Sequence, residues 1–258
     1  KKIKNELHAM LVNDREKYET FWKAFGRQIK FGIYGDYGMH KDLLADLLLF
    51  WSASEKKYIT LGEYVEKMPE DQKCIYFAAG DETERLAKLP NAQLVQGKGY
   101  DLLLCPEDVD EFCLQMMHDY KEKEFKNINS GDLGLETEEE KKAAETAAEE
   151  NKDLFEDIKT ALKGKVKDVK VNPTLKDHPV SLSSEGGLSM EMEKVLRRMP
   201  NAEGMESTKV LELNPGHPVF EALKAAKAAG DSDKVSKYAE LLYDQALLIE
   251  GLPLEDPV

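Results

Sequence analysis

The chain has 258 residues, a formal net charge of -14 at pH 7, 41% hydrophobic and 33% charged residues. That length suits one large or two ordinary domains, and the recurring Phe, Tyr, Leu and Val argue against disorder along the whole chain. The negative charge argues against nucleic acid as a partner, because phosphates would be repelled. No apolar run approaches the roughly 20 residues that cross a bilayer, so no membrane partner is expected. The start, Lys-Lys with no apolar core and no initiator Met, lacks a secretory signal and reads as a position inside a longer protein. Cys74, Cys105 and Cys113 form no paired framework, and their odd number fits a reducing compartment, the cytoplasm.

In chain order, Ile3, Leu7, Met10 and Leu11, then Tyr18, Phe21, Trp22, Phe25 and Ile29, recur at helical spacing until Gly32, Gly35 and Gly38 interrupt them. A second helix is predicted from Lys41 to Trp51, and a third capped by Thr60 with Glu63 at the capping-box position. Cys74–Ala79 reads as a buried strand, Glu82–Lys88 as a helix, Pro90-Asn91 as a turn, Leu102–Cys105 as a strand and Val109–Tyr120 as a helix. Strands alternating with helices predict a small α/β unit with a largely parallel sheet. With the helical segment before it, this makes a first domain, residues 1–129.

Composition shifts at Asn129-Ser130-Gly131. Residues 136–150 hold seven Glu against two Lys. They read as a solvated helix or as a flexible acidic arm, and Leu154, Phe155, Ile158 and Leu162 dock its far end. We assign residues 130–164 to this acidic connecting helix. Residues 165–258 form an α+β second domain. Its predicted elements are strand Val166–Val171 beside strand Val180–Leu182, helix Leu188–Met199, strand Val210–Leu213, and helices from Pro218 to Ala228 and from Ser232 to about Glu250.

No motif carries catalysis. Gly97-Lys98-Gly99 lacks the spacing and the Ser/Thr of a phosphate loop. His118 has no partner at metal-ligand spacing from Cys113, and Ser183 and Ser184 have no nucleophile elbow. No catalytic residue, metal ligand or cofactor is therefore assigned. Three features suggest binding instead. Phe112, after Asp110 and Glu111 on a helix with Met116 and Met117, is either core or surface. The Met-rich helix Leu188–Met199 suits an adaptable apolar surface or an ordinary core. The last helix carries Val235, Tyr238, Leu242, Ala246 and Ile249 in one stripe, with Leu241, Leu247 and Leu248 beside it, a pattern that docks on its own domain or on a second copy.

Several stretches in order resemble the heat-shock protein 90 family of molecular chaperones, in its bacterial form. They include Tyr18-x-x-Phe21-Trp22-x-x-Phe25-Gly26-x-x-Ile29-Lys30-x-Gly32-Ile33, the run Leu47–Ser54, and Thr60-Leu61-x-x-Tyr64-Val65-x-x-Met68. Others are Val109-Asp110-Glu111-Phe112, Leu211-Glu212-Leu213-Asn214-Pro215-x-His217-Pro218 and Leu241-Leu242-Tyr243-Asp244-Gln245-Ala246. The resemblance implies the later part of a middle domain followed by a C-terminal dimerisation domain. The parent would be a homodimeric, ATP-driven chaperone that uses ATP and Mg, with its nucleotide site and catalytic Arg upstream of Lys1. The resemblance further implies that partly unfolded clients meet Glu111 and Phe112, and Leu188, Met192, Val195 and Leu196. Dimerisation would use Val235, Tyr238, Leu242, Ala246 and Ile249. The family continues past Leu254-Glu255-Asp256-Pro257 into a further helix, so its absence would weaken the dimer. The competing reading is an interaction-only module whose apolar helices bind one another and no client.

Overall fold

The computed structural model describes residues 2–200 and 204–254. Lys1 and the stretch Glu255–Val258, which bears on the expected chain start and end, lie outside the described residues. The chain divides into two compact units, Lys1–Lys88 with Val95–Ile128, and Leu89–Leu94 with Asn129–Val258. The mixed α/β architecture expected from the alternating patterns is present.

The first unit opens with α1 (Lys2–Asn13) and α2 (Arg15–Gly35). The expected single helix is broken at Asp14, whose carboxylate accepts from Lys17 N–H and starts α2 afresh. Tyr18, Trp22, Gly26, Lys30 and Ile33 form the buried face of α2. A Cβ on Gly26 would come within 2.6 Å of the Trp22 ring, so only glycine lets the indole lie along the helix there. Phe25, expected on the buried stripe, is instead exposed, and Lys30 is buried.

The helix predicted from Lys41 to Trp51 is a correction. Only α3 (Lys41–Leu44) and a 3-10 turn at Ala45–Leu47 are helical, and Leu49–Ser52 is strand β1, paired antiparallel with β2 (Lys57–Thr60). A short continuous apolar run fits either structure, and only the pairing partner decides. Next come α4 (Leu61–Glu66), β3 (Ile75–Ala79), α5 (Thr83–Leu86), then α6 (Pro90–Gly97), whose residues up to Leu94 are grouped with the second unit, and β4 (Leu103–Cys105) and α7 (Asp110–Met117). The α4 start has the expected capping box, with Thr60 and Glu63 bonded reciprocally. Pro90, expected in a turn, opens α6, where its fixed φ suits a first turn.

Helix α7 stops at Met117, short of the expected Tyr120, and the chain forms the hairpin β5 (Asp119–Tyr120) and β6 (Lys123–Asn127). Its turn residues Lys121 and Glu122 both have positive φ, a conformation normally signalled by Asn-Gly, so the sequence carries no hairpin signature. The six-stranded sheet runs β2-β1-β4-β3-β6-β5 among the described residues. Only β4, β3 and β6 are mutually parallel; the expected largely parallel sheet is thus mixed, because the hairpins add antiparallel strands at both edges.

In the second unit, α8 (Glu138–Glu150) is capped by Thr137 and Glu140 and buries no residue. Asn151 separates it from α9 (Lys152–Ala161), which buries Leu154, Phe155 and Ile158, so the expected single helix is two. Strands β7 (Asp168–Val171), β8 (Val180–Glu185) and β9 (Thr208–Leu213) form a sheet ordered β7-β9-β8. The expected neighbours β7 and β8 are therefore separated by β9, which pairs parallel to β7 and antiparallel to β8. Helix α10 (Met190–Leu196) precedes β9; α11 (Pro218–Ala228) and α12 (Ser232–Ile249) follow it. Val169, Leu182, Leu211 and Leu213 share a core with α9, α11 and α12.

Candidate binding surfaces

Helix α7 is tied to α2 by charge. The Lys30 side chain is 4% exposed and its Nζ lies 2.5 Å from Asp110 Oδ1 and 2.8 Å from Glu107 Oε2. The same ammonium sits 5.3 Å from the Trp22 ring centroid and 4.8 Å from that of Phe50, within cation–π range. Burial works against the charge on Lys30, but the two carboxylates outweigh it and hold the lysine above its usual value. Burial pushes the Asp110 carboxyl up, with Lys30 pulling against it. Asp110 Oδ2 also accepts from Glu107 N–H at 3.0 Å, which fixes the turn where α7 begins.

Glu111 and Phe112 follow directly. Both are buried: Glu111 accepts from Asn127 Nδ2 at 2.7 Å, and the Phe112 ring meets Tyr34 of α2 edge-on at 5.2 Å. Cys113 is buried beside them, and desolvation pushes its thiol up to about 12. It is a protonated, inert packing group at neutral pH.

Helix α10 is started by Ser189, whose hydroxyl accepts from Met192 N–H. Met190, Met192 and Val195 face inward, while Leu188 and Leu196 are half-buried and Met199 and Met205 are exposed. The helix is held by buried Glu193. Its carboxylate accepts from Ser207 N–H at 2.8 Å, Ser207 Oγ at 2.6 Å and Lys209 Nζ at 3.0 Å, and pairs with Arg197 at 2.8 Å. Burial raises the Glu193 carboxyl, but Ser207 and Lys209 outweigh burial, so it sits below its usual 4.5. A depressed carboxylate stabilises the fold above its unfolded value and loses that contribution as pH falls through the folded one. On acidification below about 4.5, amide exchange across α10 should therefore accelerate before the rest of the second unit opens. Glu193→Ala should cost about 1.5–3 kcal/mol and remove this early acid step. An identical acid profile in the variant would exclude Glu193 as the clamp.

On α12, Val235, Leu242 and Ala246 are buried in the core of their own unit, while Tyr238 and Ile249 are half-buried. The outward side carries Leu241 and Leu248, 62% and 60% exposed and seven residues apart. With Tyr238 and Gln245 they make a 3-4-3 seam along the helix.

Sequence reasoning missed Lys30, Tyr34 and Glu193. Lys30 was findable, since it lies four residues after Gly26 and eight after Trp22, in phase with the buried face. Tyr34 and Glu193 carry no such mark. A groove of about 560 Å³ lies elsewhere in the first unit, lined by Arg15, Tyr58, Glu63 and Tyr120 among others. Arg15 there donates to both Glu63 oxygens and to Tyr58 O, so its charge is already spent on the fold. Among the described residues, no group of three or more His, Cys, Asp and Glu is placed to hold a metal ion. No helix among them is long and apolar enough to cross a membrane.

A family model described as Hsp90 protein matches residues 1–258. The chain is 53% identical over 258 residues to the chaperone protein HtpG of Bacillus subtilis. It is 54% identical over 257 residues to that of Clostridium botulinum (strain Langeland) and 56% to that of Clostridium perfringens (strain ATCC 13124). Each alignment covers 100% of this chain and 41% of the relative, so the chain spans less than half the length of these relatives.

Proposed function

The chain belongs to the Hsp90 protein family, and on that premise we propose that it is the later middle-domain and C-terminal part of a cytoplasmic chaperone that holds partly unfolded clients and pairs with a second copy. Clients meet two regions, the start of α7, where Glu111 and Phe112 lie buried beneath the surface, and α10, where Leu188 and Leu196 reach the surface over the buried Met192 and Val195. The single observation that carries the client reading is the exposure of apolar side chains at the ends of α10 and after it. Leu188 and Leu196 are half-buried, and Met199 and Met205 are exposed, adaptable side chains suited to varied partners. The second copy is met through α12, with Leu241 and Leu248 as the side chains free to cross the interface and Tyr238 and Ile249 flanking them. ATP and Mg belong to the parent chaperone's cycle, and we expect these 258 residues alone not to turn over ATP.

The test is suppression of aggregation of a chemically denatured protein. The native chain should slow aggregation, and Leu188→Ser with Leu196→Ser should weaken holding severalfold while leaving the circular dichroism of the chain intact. Phe112→Ala with Leu196→Ala should act in the same direction. Unchanged holding by both double variants would favour the interaction-only module.

A further inference from the structure

Helix α12 ends on a tether to a distant part of the chain. Its last turn closes as a Schellman motif. Gly251, at φ 68°, lets Leu252 N–H reach Leu247 O at 2.8 Å and its own N–H reach Leu248 O at 3.1 Å. Glu250 is the C-cap and is 8% exposed. A carboxylate there is opposed twice, by burial and by the electronegative end of the helix dipole. Asn129 answers both, because its Nδ2 donates to Glu250 Oε2 at 2.5 Å across 121 residues of sequence.

Asn129 is itself fixed. It begins the long segment of the second unit. Its carbonyl accepts from Ser184 N–H at 2.9 Å, and Ser130 bridges Ser184 in parallel, so the segment lies as a strap along the edge strand β8. Helix α12 packs against β8 as well as against α9 and α11. Leu248, one of the two exposed leucines on the outward side of α12, stands two residues before Glu250, in the turn that the tether closes. Leu241 stands two turns earlier, where the helix is held by Leu242 and Tyr243 in the core.

We propose that Asn129 is a positioning residue for pairing with a second copy: by holding Glu250 it keeps the last turn of α12 wound and presents Leu248 in register with Leu241. This rests on the α12 pairing reading above. A frayed last turn would let Leu248 leave the seam, and ordering it again would be charged against the interface. The strap that opens the second unit thus sets the strength of an interface formed at its other end.

The experiment uses the 258-residue chain and two readings, hydrogen exchange at the amides of Glu250, Gly251 and Leu252, and light scattering across a concentration series. Asn129→Ala keeps the backbone bond to Ser184 and removes the donor to Glu250. It should speed exchange at those amides by about tenfold or more, as loss of a hydrogen bond to a charged group does, and raise the dissociation constant of the pair by about tenfold. That rise should vanish when Leu248→Ser is already present and persist when Leu241→Ser is, a dependence that a general loss of stability does not give. Glu250→Gln keeps an acceptor for Asn129 and should pair as the native chain does. Unchanged exchange in Asn129→Ala would overturn the tether. Faster exchange with native pairing, or an equal rise in both leucine backgrounds, would overturn its part in pairing. Pairing weakened as much by Glu250→Gln as by Asn129→Ala would assign the effect to the charge of Glu250 and not to the tether. A native chain that stays monomeric at every concentration would remove the pairing reading, and the exchange rates alone would then decide whether Asn129 holds the helix end.

Discussion

Lys30→Met should lower the stability of the first unit by about 3–5 kcal/mol, the usual cost of leaving a buried charge without its partner. Asp110 is fully buried, and Lys30 is the cation that faces it. Glu107, half-buried on the same ammonium, can turn to water, but Asp110 cannot. Both tryptophans, Trp22 and Trp51, lie in this unit, so fluorescence during urea unfolding reads its stability selectively. A second substitution, Asp110→Asn, keeps the acceptor that Glu107 N–H needs and removes the stranded charge. The double variant should recover a large part of the loss, which makes the two substitutions strongly non-additive. The pH dependence has a definite sign. Lys30 is held above its ordinary 10.5, so its contribution is complete below that value and disappears as pH rises through the folded value. The penalty of Lys30→Met should therefore shrink in strong alkali, where the native Lys30 loses its charge, and also on acidification, where the stranded Asp110 carboxyl, pushed up by burial, takes a proton. A cost below about 1 kcal/mol at neutral pH would mean that water reaches the pair. Because Asp110 fixes the first turn of α7, the same variant should also loosen Phe112 from Tyr34, linking this internal ion pair to the proposed client surface.

The second large effect separates two neighbouring leucines. Leu241→Ser with Leu248→Ser should raise the dissociation constant of the proposed dimer by on the order of a hundredfold or more, since each buried leucine is worth about 1.5–3 kcal/mol. At concentrations where the chain is monomeric, the unfolding of the second unit should be unmoved, because both side chains are exposed within the chain. Leu242→Ala should do the reverse. Leu242 lies in the core with Val235, Ala246 and Tyr243, and its truncation should cost the second unit about 2–5 kcal/mol. Light scattering across a concentration series reads the first pair, and urea unfolding followed by circular dichroism reads the second. A native chain that stays monomeric at every concentration would remove α12 as a sufficient interface. A dimer undisturbed by the Leu241 and Leu248 substitutions would move the interface to another face.

What the sequence determined by itself is local or cumulative. The Thr60–Glu63 capping box and the Pro218 helix start depend on groups within a turn of one another, so a few residues suffice to specify them. The amphipathic face of α9 and the apolar run of β3 are likewise written in a single stretch of chain. Membership of the Hsp90 family was legible because many such short stretches recur in order, and the match extends over the whole chain.

Only the tertiary structure decided the rest, because each remaining choice depends on residues far away in sequence. Leu49–Ser52 is strand rather than helix because β2 and β4 offer it ladder partners. Strand β9 entered between β7 and β8, which no pattern in either neighbour encodes. Lys30 could be buried only once Asp110 and Glu107 arrived some eighty residues later in the chain to neutralise it. On α12 two apolar stripes were available, and the core of the second unit took the one with Val235, Leu242 and Ala246, leaving Leu241 and Leu248 outside. The same selection left Phe31 and Tyr37 in water while drawing Trp22 in. Helical periodicity shows that a face is apolar, but which of two apolar faces is covered depends on where the other elements pack.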